Sequence, residues 1–128
     1  MRFLLDTHLL IWTAHDSPRL SAMARSLIGD SRNELFFSSA SIWETAIKHQ
    51  AEKPGFSFLP SALRRGLLDN GYTEVPINGD HAVCLTALPL LHKDPFDRIL
   101  LAQAMVEGLT LMTNDAALVE YLGPVQAV

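Results

Sequence analysis

The segment Phe3-Leu4-Leu5-Asp6-Thr7-His8 decides how the rest of the chain is interpreted. Three apolar residues followed directly by an acid predict a short buried strand that delivers Asp6 at its C-terminal end. Near the other end of the chain, residues 109–113 run into Asn114-Asp115 in the same way. The carboxyl ends of strands in an open parallel sheet share one edge, where functional groups gather. We therefore expect Asp6 and Asp115 to lie at that edge.

A third acid, Asp97, lies in a segment with strong helix signals. Asp94 suits the N-cap, Pro95 suits the first helical position, and Gly108 ends the predicted helix 95–107. Apolar residues follow Asp97 at spacings of four, seven and eight, which are the spacings of one helical face. The pattern predicts that Asp97 lies on the core-facing stripe, in the first turn of the helix.

Glu44 is the fourth acid, and it lies in the predicted helix 41–50. This helix follows a strand-like segment at residues 35–38. Glu44 shares a helical face with Ala40 and Ile47, so we expect it to point inward near the start of its helix.

Each of these acids also has a purely structural interpretation. Asp94 and Asp115 are plausible N-caps, Asp97 complements a helix dipole, and Glu44 could pair with Lys48 one turn later. Four carboxylates directed at one place would nevertheless repel each other unless a divalent ion neutralised them. Because the candidate ligands are all oxygen atoms, we expect Mg²⁺ or Mn²⁺ rather than zinc.

Composition indicates a single domain over residues 1–128. The chain is 48% hydrophobic, which allows a sizeable core, and no apolar run approaches the roughly 18 residues that span a bilayer. A single cysteine, Cys84, excludes an internal disulfide framework and fits a reducing cytoplasm. His81 and His92 are too isolated in sequence to form a zinc ligand set.

The formal charge of −4 excludes a generally basic nucleic-acid-binding protein. Neutralising the four acids would bring that charge to zero, so a polyanion would have to be held locally. Candidate cations are Arg98, Lys93, Lys48 and the pair Arg64-Arg65, among which we select Arg98 beside Asp97 as the residue that would contact the polyanion.

Strand-like and helical patterns alternate along the chain. Strands are predicted at residues 2–6, 35–38, 73–75, 110–113 and 125–127. Helices are predicted at residues 9–14, 21–29, 41–50, 60–70, 79–88, 95–107 and 116–121. This alternation predicts a three-layer α/β/α fold with a mainly parallel central sheet of about five strands.

Taken in order, these motifs resemble PIN-domain ribonucleases of the VapC toxin type, the toxins of type II toxin-antitoxin systems. The resemblance covers the entire chain. It rests on Asp6-Thr7-His8, helical Glu44, the segment from His92 to Arg98 with residues 100–104 after it, and Thr113-Asn114-Asp115.

The resemblance implies a metal-dependent endoribonuclease that cleaves single-stranded RNA. One or two Mg²⁺ or Mn²⁺ ions would be held by the four acids, which are Asp6, Glu44, Asp97 and Asp115. Thr7 and Thr113 would support the metal ligands, and Asp94 would act as a cap or as a group behind those ligands.

A toxin of this type implies a cognate antitoxin, VapB-like or from another antitoxin family. We also expect a homodimer and no association with a membrane. Four aromatic residues could form a dimer surface or a groove for an antitoxin segment: Trp12, Trp43, Phe56 and Phe58.

Alternatives from other functional classes are of two kinds, an aspartate-dependent phosphatase or phosphoacceptor receiver and a non-catalytic interaction module. An aspartate-dependent phosphatase would have a second Asp two residues after Asp6, where His8 stands, and a phosphoacceptor receiver would have adjacent acids there. A catalytically inactive PIN-fold interaction module is compatible with the same sequence, and an RNA cleavage assay separates it from the nuclease.

Overall fold

The central element of the protein is a parallel β-sheet with β1 in its middle. In the computed structural model the described residues are 1–91, 93–121 and 123–128. They form one sheet in the order β3-β2-β1-β4-β5, in which all four strand pairs are parallel. The strands are β1 (Arg2–Leu5), β2 (Glu34–Ser38), β3 (Thr73–Val75), β4 (Thr110–Thr113) and β5 (Val125–Ala127). The predicted strands are confirmed to within one residue at their ends.

Helices fill the connections between the strands. They are α1 (Thr7–Ala14), α2 (Ala22–Gly29), α3 (Ser39–Gln50), α4 (Pro60–Asp69), α5 (Gly79–Cys84), α6 (Pro95–Glu107) and α7 (Ala116–Val119). Helices α1 and α3 begin two residues earlier than predicted, because the side chains of Asp6 and Ser38 cap them. Helix α5 is shorter than predicted, since a 3₁₀ turn at Leu85–Ala87 follows it.

Strand β1 is buried on both faces and separates two apolar cores. Phe3 and Leu5 pack with residues of α1, α2 and α4, whereas Leu4 packs on the other face with residues of α6 and α7. All three side chains are fully buried, and burial of each contributes about 1.5–3 kcal/mol. The predicted three-layer α/β/α architecture is confirmed.

The two edges of the sheet differ in chemistry. Helices α1, α2 and α4 end near the amino ends of the strands, where they surround a cavity of about 570 Å³. Tyr72 lines this cavity, and the Tyr72 hydroxyl is buried without a hydrogen-bond partner among the described residues. Burial raises the pKa of Tyr72 to about 12. The predicted acids, in contrast, lie at or beyond the carboxyl ends of the strands.

No helix in the part of the chain that the structure describes is long and apolar enough to cross a membrane.

Candidate active site

Asp6 lies directly after the central strand and is only 4% exposed. Strands β1 and β4 are neighbours, so the Asp6 amide donates to the Met112 carbonyl at 3.0 Å. The Asp6 carboxylate accepts one hydrogen bond from the Thr113 hydroxyl and another from the Leu9 amide, at 2.9 Å for the latter. Adjacent strands therefore bring Asp6 and Thr113 together, although they are 107 residues apart in the chain.

The charge of Asp6 is poorly compensated in this environment. Burial raises the pKa of Asp6 above its ordinary value of 3.8, while the hydrogen bonds from Thr113 and Leu9 act in the opposite direction. His8 also lowers this pKa, and the nearby charge of Asp115 raises it. Since burial dominates, a cation beside Asp6 would favour its ionised form.

Asp115 follows β4 and is coupled to Asp6 through Thr113. The Asp115 amide donates to the Thr113 hydroxyl oxygen at 3.0 Å, and that hydroxyl donates to Asp6. The Asp115 carboxylate accepts a hydrogen bond from the Ala117 amide at 2.9 Å, which caps α7. The N-cap interpretation of Asp115 is thus confirmed, and its charge also acts on Asp6.

Glu44 is 2% exposed, and both of its carboxylate oxygens have partners. The Thr7 hydroxyl donates to Oε1 at 2.7 Å, and the Ser41 hydroxyl lies 3.0 Å from that of Thr7. Lys48 Nζ lies 2.6 Å from Oε2, as the spacing of four residues predicted. Because Thr7 directly follows Asp6 in the chain, the hydrogen bonds around Glu44 lie next to those that join Asp6, Thr113 and Asp115.

The prediction that Ala40, Glu44 and Ile47 share one buried helical face was wrong at one position. Ala40 and Glu44 are buried, but Ile47 is 43% exposed. Glu44 instead turns toward Thr7 of α1 together with Ser41, a residue that was not predicted to lie at the site. The available signal was the spacing of three between Ser41 and Glu44, since residues three apart on a helix are neighbours.

The signals that predicted α6 are confirmed in detail. Asp94 is the N-cap and accepts a hydrogen bond from the Phe96 amide at 2.9 Å, and Pro95 is the first helical residue. Gly108 ends the helix in the left-handed region with φ of 68°. Met105, eight residues after Asp97, was expected on the buried face but is 40% exposed, and the buried residues of α6 are 100–104.

Asp97 lies in the first turn of α6 and is partly exposed. Helices α3 and α6 meet close to their starts, where the rings of Trp43 and Phe96 are 5.1 Å apart at an interplanar angle of 73°. These two residues directly precede Glu44 and Asp97 in the chain. The contact therefore brings the helical turns that carry the two acids together.

The chemistry of the donors fits a hard divalent cation, although the acids are not gathered into a metal cage. Among the described residues, no group of three or more His, Cys, Asp or Glu side chains lies close enough to hold a metal ion. The side chains that contact Asp6 and Glu44 nevertheless offer oxygen atoms, with the exception of Lys48, and Asp6 is a buried carboxylate whose ionised form is disfavoured. Oxygen ligands of this kind suit Mg²⁺ or Mn²⁺.

Arg98, the candidate RNA-binding residue, points toward the segment after α5. Its Nη2 donates to the carbonyl oxygens of Leu85 and Leu88 at 3.3 and 3.4 Å. Its Nε is buried without a hydrogen-bond partner among the described residues. Binding of RNA by Arg98 stays a prediction. His92, which opens the motif containing Arg98, lies outside the described residues.

The four aromatic residues named as interface candidates have different environments. Trp43 is 59% exposed and Phe56 is 7% exposed. Trp12 and Phe58 are partly buried and pack against the core beside α1 and α4. Trp43 therefore remains the most accessible of the four aromatic side chains.

Comparison with known proteins agrees with this architecture. A family model for the PIN domain matches residues 3–121. Ribonuclease VapC16 from Mycobacterium tuberculosis is 35% identical over an alignment of 77 positions, which covers 53% of this chain and half the length of that relative. The fold is similar to VapBC2 from Rickettsia felis bound to promoter DNA, with TM-score 0.72, 14% identity and coverage of 99% and 98% of the two chains. It is also similar to DNA-bound VapBC from Salmonella typhimurium, with TM-score 0.70, 15% identity and the same coverage. The chain belongs to the PIN domain family.

Proposed function

We propose that this protein is a divalent-metal-dependent endoribonuclease that cleaves single-stranded RNA. The observation that carries the proposal is the buried carboxylate of Asp6 at the carboxyl edge of the sheet, with its pKa raised by burial and by Asp115. The ionised form of such a carboxylate is stabilised by a cation, and a divalent cation can promote phosphodiester hydrolysis. The partial match to a ribonuclease, VapC16, supports the same reaction class.

In this proposal the ion is held by the four acids Asp6, Glu44, Asp97 and Asp115. When bound, a divalent ion activates water and stabilises the charge on the phosphate and on the leaving oxygen. Thr113 holds the Asp6 carboxylate by a hydrogen bond, and Thr7 holds that of Glu44. These hydroxyls orient the Asp6 and Glu44 carboxylates, and the four acids would have to draw closer together to hold an ion.

We further propose that the protein is the toxin of a type II toxin-antitoxin pair in the cytoplasm, with a cognate antitoxin and a homodimeric assembly. The similar folds from Rickettsia felis and Salmonella typhimurium were solved as VapBC assemblies, which supports an antitoxin partner. The second candidate function is an inactive PIN-fold interaction module. The absence of a three-residue metal group among the described side chains favours this alternative.

An RNA cleavage assay with controlled metal content separates the two candidates. The purified protein is incubated with a mixed-sequence single-stranded RNA in Mg²⁺, in Mn²⁺ and after exhaustive chelation. We expect cleavage with either ion and none in chelator, with activity restored when the ion is returned. Cleavage that survives chelation would overturn the metal mechanism, and no cleavage under any condition would favour the inactive module.

A further inference from the structure

A group of aromatic and basic side chains borders the candidate active site. Lys48 Nζ, which pairs with Glu44, lies 5.2 Å from the ring centroid of Phe56. The His8 ring lies 6.4 Å from that of Phe56 and 5.8 Å from that of Trp12. We call these four residues, His8, Trp12, Lys48 and Phe56, the aromatic rim. The rim is continuous with the site, since Lys48 contacts Glu44 and His8 lies two residues after Asp6.

Part of the rim is accessible to solvent, including an aromatic ring and a positively charged side chain. His8 is exposed, Trp12 is partly buried, and the Lys48 side chain is 30% exposed. Phe56 is 7% exposed and forms the floor beneath them. The His8 ring and part of the Lys48 side chain are therefore accessible to a ligand at the surface.

Sites for single-stranded nucleic acids combine cations that follow the phosphates with aromatic rings on which bases stack. This protein carries a net charge of −4, so its attraction for a polyanion must be local. We propose that the aromatic rim binds the RNA strand next to the cleaved phosphate, with Lys48 contacting a phosphate and with His8 and Trp12 stacking on a base. This inference rests on the proposed ribonuclease function.

A second aromatic pair borders the site but has a different character. Trp43 and Phe96 contact each other at the starts of α3 and α6, and Trp43 is largely exposed. Among the described residues, the cation–π contacts are those of Lys48 with Phe56 and of Arg2 with Phe36. The Trp43–Phe96 pair makes neither of these contacts, whereas the rim joins its rings directly to Lys48, and this difference favours the rim for an RNA strand.

The two tryptophans allow the position of the RNA to be tested by fluorescence. Both variants are built on Asp97→Asn, which by the proposal does not turn RNA over. Trp43→Phe leaves Trp12 as the only indole, and Trp12→Phe leaves Trp43. On titration with a mixed-sequence single-stranded RNA, we expect saturable quenching of Trp12 emission and little change in Trp43 emission. Quenching of Trp43 alone would overturn the proposal.

A second measurement tests the charge of Lys48. Affinity for a labelled single-stranded RNA is measured by anisotropy at several salt concentrations, in the same Asp97→Asn background. Each phosphate contact on a single strand contributes about 0.7 to the slope of log affinity against log salt, so Lys48→Met should reduce that slope by about 0.7. His8→Ala should weaken binding by roughly 5-fold or more through lost stacking.

Lys53→Met is the matched control, because it removes the same charge from the exposed turn after α3. We expect it to keep the salt slope within error. If the salt slope is unchanged in Lys48→Met and RNA does not quench Trp12 emission in Trp43→Phe, the proposal for the rim is overturned. The two measurements use different variants, so misfolding of one variant cannot produce both results. If a negatively charged peptide quenches Trp12 and RNA does not, the rim is a protein-binding surface and the proposal is wrong.

The failure of this inference can be distinguished from the failure of the proposed function. If the wild type cleaves RNA with metal but the rim variants bind RNA normally, the ribonuclease function stands and the rim assignment falls. If the wild type neither binds nor cleaves single-stranded RNA, both fall together.

Discussion

The two edges of the sheet both bury polar groups, but they do so in different ways. At the carboxyl edge, Asp6 is bonded to Thr113 and Glu44 is bonded to Thr7 and Lys48. At the amino edge, the Tyr72 hydroxyl has no partner among the described residues. Hydrogen bonds that join polar groups of several helices and strands hold a site in one arrangement. A buried hydroxyl without a hydrogen-bond partner, in contrast, only destabilises the folded state.

The direction of the helices explains part of this difference. In a parallel sheet each connecting helix runs back against the strands, so several helix N-termini gather at the carboxyl edge. Asp6 caps α1 there and Asp115 caps α7, because helix N-termini favour acidic groups. The same two carboxylates therefore serve the fold and the proposed site. The amino edge receives helix C-termini instead and is largely apolar around its cavity.

The largest expected effect of breaking the carboxyl edge is on catalysis. Asp6→Asn should lower the rate of RNA cleavage in Mn²⁺ by roughly 100-fold or more, since it removes charge from the ion's ligands and such an ion contributes several kcal/mol to transition-state stabilisation. Asp94→Asn is the control, because Asn and Asp cap helices about equally well. Loss of cleavage in a folded Asp94→Asn protein would assign Asp94 to the metal ligands.

The next effect is on stability, and it compares two threonines of α1. Thr7→Val should lower the free energy of unfolding by about 1–3 kcal/mol, because Glu44 and Ser41 lose a buried partner. Thr13 lines the cavity at the other edge, and its hydroxyl donates to the Leu9 carbonyl of its own helix. Thr13→Val should change stability by no more than about 0.5 kcal/mol. Urea unfolding measures both, and equal losses would remove the proposed distinction between the edges.

A smaller effect concerns the charge on Asp6 in the absence of metal. The folded-state pKa of Asp6 is raised, so the native state holds the proton more strongly than the unfolded state does. Stability in chelator should therefore fall as the pH rises above 3.8 toward the folded-state pKa. Asp6→Asn should remove this loss and raise the unfolding midpoint at neutral pH in chelator. A lower midpoint in the variant would show that the ionised Asp6 is already well compensated.

The smallest effect is expected at the amino edge. Tyr72→Phe removes a buried hydroxyl that has no partner in the part of the chain that the structure describes, so it should leave stability unchanged or raise it by up to about 1 kcal/mol. Because the pKa of Tyr72 is raised from 10.0 to about 12, wild-type stability should also fall between these pH values, and that loss should be absent in the variant. A destabilised Tyr72→Phe protein would mean that the hydroxyl has a partner in solution.

Much of the fold could be predicted from local sequence signals. The run Phe3-Leu4-Leu5 is fully buried, as a central parallel strand must be, and the Asp94-Pro95 pair begins α6 as its capping chemistry requires. Helix α1 was predicted to begin too late, because Asp6 was considered as a possible ligand and not as the cap that it also is.

The surroundings of the acids were harder to predict, since they depend on contacts between distant segments. The burial of Glu44 depends on Thr7, which lies 37 residues away in the chain, and no helical pattern contains that information. The direction of Arg98 is set by carbonyl groups of the preceding connection. Proximity to Asp97 in sequence therefore did not determine where the guanidinium points.

The measurement that tests the central claim most directly is the binding of Mn²⁺ to the carboxyl edge, followed by thermal unfolding. A ligand that binds only the native state stabilises it by mass action. We expect Mn²⁺ to raise the unfolding midpoint of the chelator-treated wild type in a saturable manner, and to raise that of Asp6→Asn much less. If Mn²⁺ shifts neither protein, or shifts both equally, Asp6 does not belong to a divalent-cation site and the proposed mechanism is contradicted.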